Sequence, residues 1–474
     1  MSEETTGITA SHPEARTARR WLALSVGSLV LAGVLSLLLV IGRMPPFDRW
    51  VTDPLFFRRC LVVHVDLALV VWFYAFVGAL LSALARPGTS SRVSRFAPLI
   101  STCGVALMVV GAGGSGAEPV LANYVPMIDD AAFEAGIVTF AVGVVVGLLD
   151  ARLLPPSTPP GGAHFFPLPD AAEPGLRAAA IAILIAAITF AASWLGAPRG
   201  LTKESVFELA NWGGGHVLQL ASTCAMLSVW IVLVSGVLGR AAIGRRAASA
   251  LFAALVLPWL SAPLLAARGI QDIPARGAFT LLMEWAIFPA VVVILALLVH
   301  AVWRAHREGT LPRRDPRLLG FGVSASLTVL GFVLGALVRG SNTTVPAHYH
   351  ASIGAVTAAF MTVSYPMLAR LGHPLTRPHL LRVARWQPLV YGVGQMVFAS
   401  GFALAGSHGM ARKVYGAEQH GRDFAETVGL VVMGAGGLVA VVGGLSFLFL
   451  VITAWRDGRG TQRAAHTVLA GARA

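Results

Sequence analysis

Charge is scarce in this chain. Of 474 residues, 12% are Asp, Glu, Lys or Arg and 56% are hydrophobic, and the mean hydropathy is +0.72. Soluble domains carry about 25% charged residues, so a soluble globular protein is excluded and a polytopic membrane protein is implied. Cysteine is nearly absent. Cys60, Cys103 and Cys224 are widely spaced, which leaves no disulfide framework, no CxxC and no CxxCH for covalent haem attachment. Lysine is reduced to Lys203 and Lys413, both outside the apolar segments, so no lysine-lined proton channel is written in the chain. Acidic residues are outnumbered 23 to 36, for a net charge of +13. The arginines punctuate the apolar segments rather than cluster on one domain, which suits membrane topology and argues against nucleic acid as a partner.

What remains is apolar sequence in long runs. A span needs about 20 mostly apolar residues to cross the hydrocarbon core. Twelve segments qualify, near 20–43, 58–85, 96–114, 132–150, 177–197, 207–238, 245–267, 278–303, 318–338, 346–371, 385–406 and 425–455. The predicted fold is therefore all-α, a polytopic bundle of 12 transmembrane helices. Residues 1–19 form an N-terminal tail, 20–455 one membrane domain, and 456–474 a C-terminal tail. Residues 1–20 are polar without a cleavable signal, so the first segment is expected to stay as an anchor. The longest connection, 151–175, is rich in Pro and carries no motif. Twelve spans put both termini on one side. With that side taken as cytoplasmic, the inner tails and loops hold 24 Lys and Arg and the outer loops hold 12. This bias predicts an integral protein of the cytoplasmic membrane with both termini inside.

Thirteen histidines are present, and most lie in tails, loops or span ends. Four do not. His64 lies in the first turns of span two, His216 early in span six, and His348 and His350 open span ten. All three spans are even-numbered and run from outside to inside, so the four imidazoles share one depth below the outer surface. Imidazoles in an apolar bundle are costly unless they are hydrogen-bonded or ligate metal. On a helix, residues i and i+2 point to roughly opposite sides. His350 can therefore clamp a haem iron against His64, while His348 faces a second haem or metal with His216 approaching. Each histidine taken alone also suits a plain packing role.

Several motifs carry a resemblance. Val345-Pro346-Ala347-His348-Tyr349-His350-Ala351-Ser352-Ile353-Gly354 resembles the span-ten motif of the catalytic subunit of the haem–copper oxidase superfamily, the cytochrome c oxidase subunit I-like proteins, which include the nitric oxide reductases. His64-Val65-Asp66-Leu67 with Val71-Trp72-Phe73 is similar to the span-two motif, closest to the C-type oxidase and nitric oxide reductase branches. Gly409-Met410-Ala411-Arg412-Lys413-Val414-Tyr415 resembles the loop whose basic pair binds haem propionates. The resemblance implies a 12-span fold and two haems of b or a type. It makes His64 and His350 the axial ligands of a low-spin haem and His348 the proximal ligand of a high-spin haem. Arg412 and Lys413 would neutralise propionates.

The departures are equally specific. The superfamily's second metal, copper or non-haem iron, takes one histidine from span six and an adjacent pair from span seven. His216 can serve as the first, but span seven has Ala267 and Arg268 near the expected pair and no histidine. None of the six tyrosines lies on span six or seven, so the cross-linked tyrosine of oxygen-reducing members has no counterpart there. Carboxylates inside the bundle are few: Asp66, Glu134, Glu208 and Glu284. Glu284 and Glu208 are candidates for proton delivery or ligand replacement, and each also suits a simple hydrogen bond to a neighbouring helix.

Two functions follow. One is a respiratory oxidoreductase that passes electrons through a low-spin haem to a high-spin haem, where O2 or NO is reduced. The other is a non-catalytic di-haem electron-transfer or gas-sensing relative without the second metal. A third class, a transporter with a histidine proton relay, is distinguished by the absence of haem. No copper-A motif is present, so electrons must come from a donor subunit or a soluble cytochrome or cupredoxin.

Overall fold

The computed structural model describes residues 13–41, 54–83, 92–114, 116–149, 169–412 and 423–471. Among them are 12 helices long and apolar enough to cross a membrane. They are α1 (Ala15–Leu38), α2 (Leu55–Ala83), α3 (Arg92–Ala112), α4 (Ala131–Leu148), α5 (Glu173–Leu195), α6 (Lys203–Leu238), α7 (Arg245–Ala267), α8 (Ile273–Arg307), α9 (Pro316–Ala336), α10 (Thr344–Arg370), α11 (Pro378–Ser407) and α12 (Phe424–Gly458). The all-α expectation holds, and α7 has the predicted bounds. Other helices outrun the apolar segment because polar caps start them early. Asp272 caps α8 by accepting from Ala275 N (3.0 Å), with Pro274 in the first turn. Pro378 opens α11 in the same way, seven residues before the apolar run.

Three helices depart from α geometry. Residues Asp66–Val71 of α2 and Met283–Ile287 of α8 are π-helical. Leu257–Ser261 of α7 tightens to a 3-10 turn at Pro258, whose ring cannot take the regular helical bond. The one sheet among the described residues is a small hairpin between α3 and α4: β1 (Glu118–Val120) pairs antiparallel with β2 (Met127–Asp129), with Pro119 opposite Ile128. Its tip is residues 121–126.

The chain divides into two compact units, one of residues 11–231 and 243–298, the other chiefly of 232–242 and 299–474. In the first, α3 and α4 meet backbone to backbone. A Cβ on Gly104 would lie 2.3 Å from Phe140 N, one on Gly111 2.4 Å from Phe133 N, and one on Gly136 2.5 Å from Met108 N. In the second unit, Gly394 and Gly401 of α11 mesh with Gly429, Gly436 and Gly443 of α12, again at backbone contact. Lipid does not drive helices together as water does, so small residues that let backbones approach supply the packing. Serine hydroxyls add short bonds between neighbouring helices: Ser101 Oγ of α3 donates to Phe140 O of α4 (3.0 Å) and Ser324 Oγ of α9 to Ala355 O of α10 (2.7 Å).

Candidate functional site

Two of the four histidines share one arrangement. His64 Nδ1 lies 2.8 Å from Ala32 O of α1, and His348 Nδ1 lies 2.7 Å from Gly331 O of α9. A carbonyl only accepts, so in each ring Nδ1 carries the proton and the neutral imidazole keeps its lone pair on Nε2. Ligating histidines are held in this way, with the far N–H tied to a carbonyl so that the tautomer and ring direction are fixed. Both rings are half-buried. The sequence around each carbonyl allows the approach. Gly335 clears α9 for the His348 ring, since a Cβ there would come 2.8 Å from Nδ1. Ser25 Oγ, bonded to Trp72 O at 2.9 Å, sets the register of α1 on α2 that brings Ala32 to His64.

His350, also half-buried, sits against aromatic faces of its own unit. Its ring centroid lies 4.8 Å from Phe398, edge to face, and 5.9 Å from Phe402, stacked at 21°. Arg412 lies beside the start of α10. The 410–412 segment pairs with the turn before that helix, through Thr343 N to Met410 O (2.9 Å) and Arg412 Nε to Ser341 Oγ (3.0 Å). Lys413 lies outside the described residues. Asp66, two residues after His64, is fully buried, and neither carboxylate oxygen has a hydrogen-bond partner among the described residues.

His216 is different. It is 1% exposed, and both ring nitrogens are engaged. Nδ1 donates to Trp212 O of its own helix (2.7 Å), and Nε2 accepts from the Tyr124 hydroxyl at the hairpin tip (2.8 Å). The Tyr124 and Trp212 rings stand 4.5 and 4.9 Å from the imidazole, centroid to centroid, with Phe279 at 5.9 Å. The run Gly213-Gly214-Gly215 makes room. A Cβ on these residues would strike the rings of Phe279, Phe190 and Tyr124 in turn, at 2.7, 2.5 and 2.3 Å. The hairpin tip is stapled to α6 by Asn211 Nδ2 donating to Val125 O (2.9 Å) and by Asn123 Nδ2 donating to Glu208. Tyr124 is the one non-glycine residue with positive φ among those described, at 69°.

The remaining carboxylates take ordinary places. Glu208 is half-buried in the bond to Asn123, and Glu134 lies 3.8 Å from Lys203. Lys203 also pairs with Asp129, fixing the hairpin's end to α6. Glu284 was expected inside the bundle, yet its side chain is exposed on α8, because the π-helical turn over Met283–Ile287 carries Glu284 and Trp285 outward. Tyr124 escapes sequence reading, since its loop is 92 residues from its partner. The triple glycine was the available signal that something packs closely on α6.

The donor sets can be tested against the groups they would hold. His64 and His348, each with an oriented ring and a spare Nε2, fit haem iron. His216 does not fit a second metal, because its Nε2 lone pair is spent on Tyr124. Among the described residues, no three His, Cys, Asp or Glu side chains come together as a metal-binding group.

No protein-family model matches the chain. An uncharacterised protein of Aquifex aeolicus (strain VF5) is 27% identical over 359 residues, covering 74% of this chain and 85% of that protein. An uncharacterised protein of Rickettsia prowazekii (strain Madrid E) is 22% identical over an alignment of 496 positions, covering 91% and 94%. Among solved structures, a heme-copper terminal oxidase dimer seen by cryo-EM matches with a TM-score of 0.70 over 93% of this chain and 84% of that chain, at 16% identity. The chain therefore has a fold like that of this heme-copper terminal oxidase.

Proposed function

We propose that this protein is a haem-bearing redox subunit of a respiratory membrane. His64 and His350 would hold a low-spin haem, and His348 would hold a high-spin haem. The observation that carries the proposal is the matched pair of imidazoles, each with Nδ1–H tied to a backbone carbonyl of a neighbouring helix and Nε2 left over. The oxidase-like fold supports it. Haem supplies one-electron transfer and, where only one protein ligand is bound, an open position for a gas such as O2 or NO.

The chain's own residues bind and orient. Ala32 O and Gly331 O hold two rings in the ligating tautomer, and Phe398 and Phe402 keep water from His350. Arg412, with Lys413, offers cations for propionates at the mouth of α10. Electrons arrive from a donor subunit or a soluble cytochrome or cupredoxin.

Two activities share this scaffold: reduction of O2 or NO, and non-catalytic electron transfer or gas sensing. The engaged nitrogens of His216, with no histidine on α7, favour the second. Glu208 and Glu284 remain proton-delivery candidates for the first.

Reduced-minus-oxidised and CO-difference spectra of membranes test the haem assignment. Wild type should show a low-spin signal and a CO-binding one. His64→Ala or His350→Ala should remove the first, and His348→Ala the second. Membranes with no Soret band would overturn the proposal and favour a transporter. Consumption of O2 or NO from a reduced donor would then separate enzyme from carrier.

A further inference from the structure

Superfamily resemblance places a metal at His216, and the structure places a phenol there. The Tyr124 hydroxyl occupies the only nitrogen of His216 that could bind an ion, because the other is committed to Trp212 O. A metal could in principle use both the tyrosine oxygen and the histidine nitrogen, but two donors do not make a tight site. No third His, Cys, Asp or Glu joins them among the described residues. The surroundings are Trp212, Phe279 and the bare backbone of Gly213–Gly215, none of which supplies a ligand.

The phenol is also held there deliberately. A bulky side chain at φ 69° persists only where its surroundings over-determine it, and such strain clusters at functional positions. Three bonds fix the tip: Asn123 to Glu208, Tyr124 to His216, and Asn211 to Val125 O. They engage Glu208, Asn211 and His216, all in the N-terminal half of α6. Gly215 removes the one Cβ that would keep the ring away.

We infer that this protein holds no second metal at His216, and that the Tyr124 phenol fills the coordination position, making a metal-free phenol–imidazole pair on α6. The inference deepens the haem proposal above and rests on it only for the expectation that a metal would otherwise sit there. It also separates this chain's chemistry from that of a two-metal reductase, because the imidazole on α6 is paired with a phenol and not with an ion.

The test is a count of metals in the purified full-length protein from cultures supplied with copper, iron and zinc. Haem is measured separately as the pyridine haemochrome. The expected result is no copper, zinc or non-haem iron in stoichiometric amount. About one such ion per chain, lost in His216→Ala, would overturn the inference. An ion that survives His216→Ala binds elsewhere and leaves the inference standing. Tyr124→Phe supplies the second arm. Isotope-edited 15N spectra of histidine should show the His216 Nε2 resonance move when the phenol hydroxyl is removed, with the metal count unchanged or raised. An Nε2 resonance unmoved by Tyr124→Phe in a folded variant would also overturn it. If that variant does not fold, the wild-type count decides. A protein without haem fails the earlier proposal through the haemochrome, while the non-haem count still reads this one.

Discussion

At the scale of single residues, Tyr124 shows how a position is imposed against local preference. A left-handed backbone costs an L residue with a side chain roughly 1–2 kcal/mol, and the hydrogen bonds around residues 123–125 offset it. Gly215→Ala should break that balance, since its Cβ would fall 2.3 Å from the Tyr124 Cβ. The tyrosine would be expelled and the protein destabilised by about 1–3 kcal/mol, visible as a lower melting temperature. A variant with wild-type melting and an unchanged His216 15N signal would show that the ring is not wedged there. Asp66 makes the opposite case. An unpartnered buried polar group costs about 1–3 kcal/mol, so Asp66→Leu should melt no lower than wild type. A marked loss of stability would mean that the carboxylate holds a group in the folded protein. His64, His348 and His350 were legible in the sequence because spacing and depth are properties of a helix alone. Tyr124 was not, because a hairpin of two three-residue strands placed it, and neither strand has a periodic signal long enough to read.

At the scale of elements, the glycines decide which helices pair. Gly394 and Gly401 recur at seven residues on α11, as do Gly429, Gly436 and Gly443 on α12. A seven-residue repeat returns to nearly the same helix face, so each set forms one bare stripe. A Cβ on Gly401 would sit 2.3 Å from Met433 N, a backbone atom that cannot swing aside, whereas Gly434 on the same α12 has nothing within 4 Å. Gly401→Ala should therefore lower thermal stability by about 1–3 kcal/mol, and Gly434→Ala should raise it by roughly 0.5–1 kcal/mol through helix propensity. Equal effects in the two variants would remove the stripe from the packing account. Spans were legible because lipid demands continuous apolar length. Their irregular turns were only partly so: Pro258 announces the 3-10 turn of α7, but no residue type marks the π-helical turns that begin at Asp66 and Met283.

At the scale of the whole molecule, the contacts between connections bear on topology independently of charge. With 12 alternating spans, connections after odd-numbered helices lie on one side and those after even-numbered helices on the other. The hairpin after α3 is stapled to the start of α6. The 410–412 segment after α11 pairs with the turn after α9. On the other side, Arg245 after α6 lies 3.5 Å from Glu173 before α5, Arg240 after α6 lies 3.5 Å from Glu308 after α8, and Arg377 after α10 lies 3.0 Å from Asp457 at the end of α12. Each contact joins connections of the same parity, so these contacts support twelve alternating crossings without stating which side is which. The arginine bias supplies the direction, with 24 Lys and Arg on the side of the termini and 12 on the other. It predicts that alkaline phosphatase fused after Gly200 is active outside and after Gly309 inactive inside, with a green fluorescent fusion giving the reverse. The opposite pattern would invert the protein and move His64, His216, His348 and His350 to the cytoplasmic side, where a donor carried outside the membrane could not reach them. Activity at both sites would mean that the spans between them do not alternate, and the shared depth of the four histidines would lose its basis.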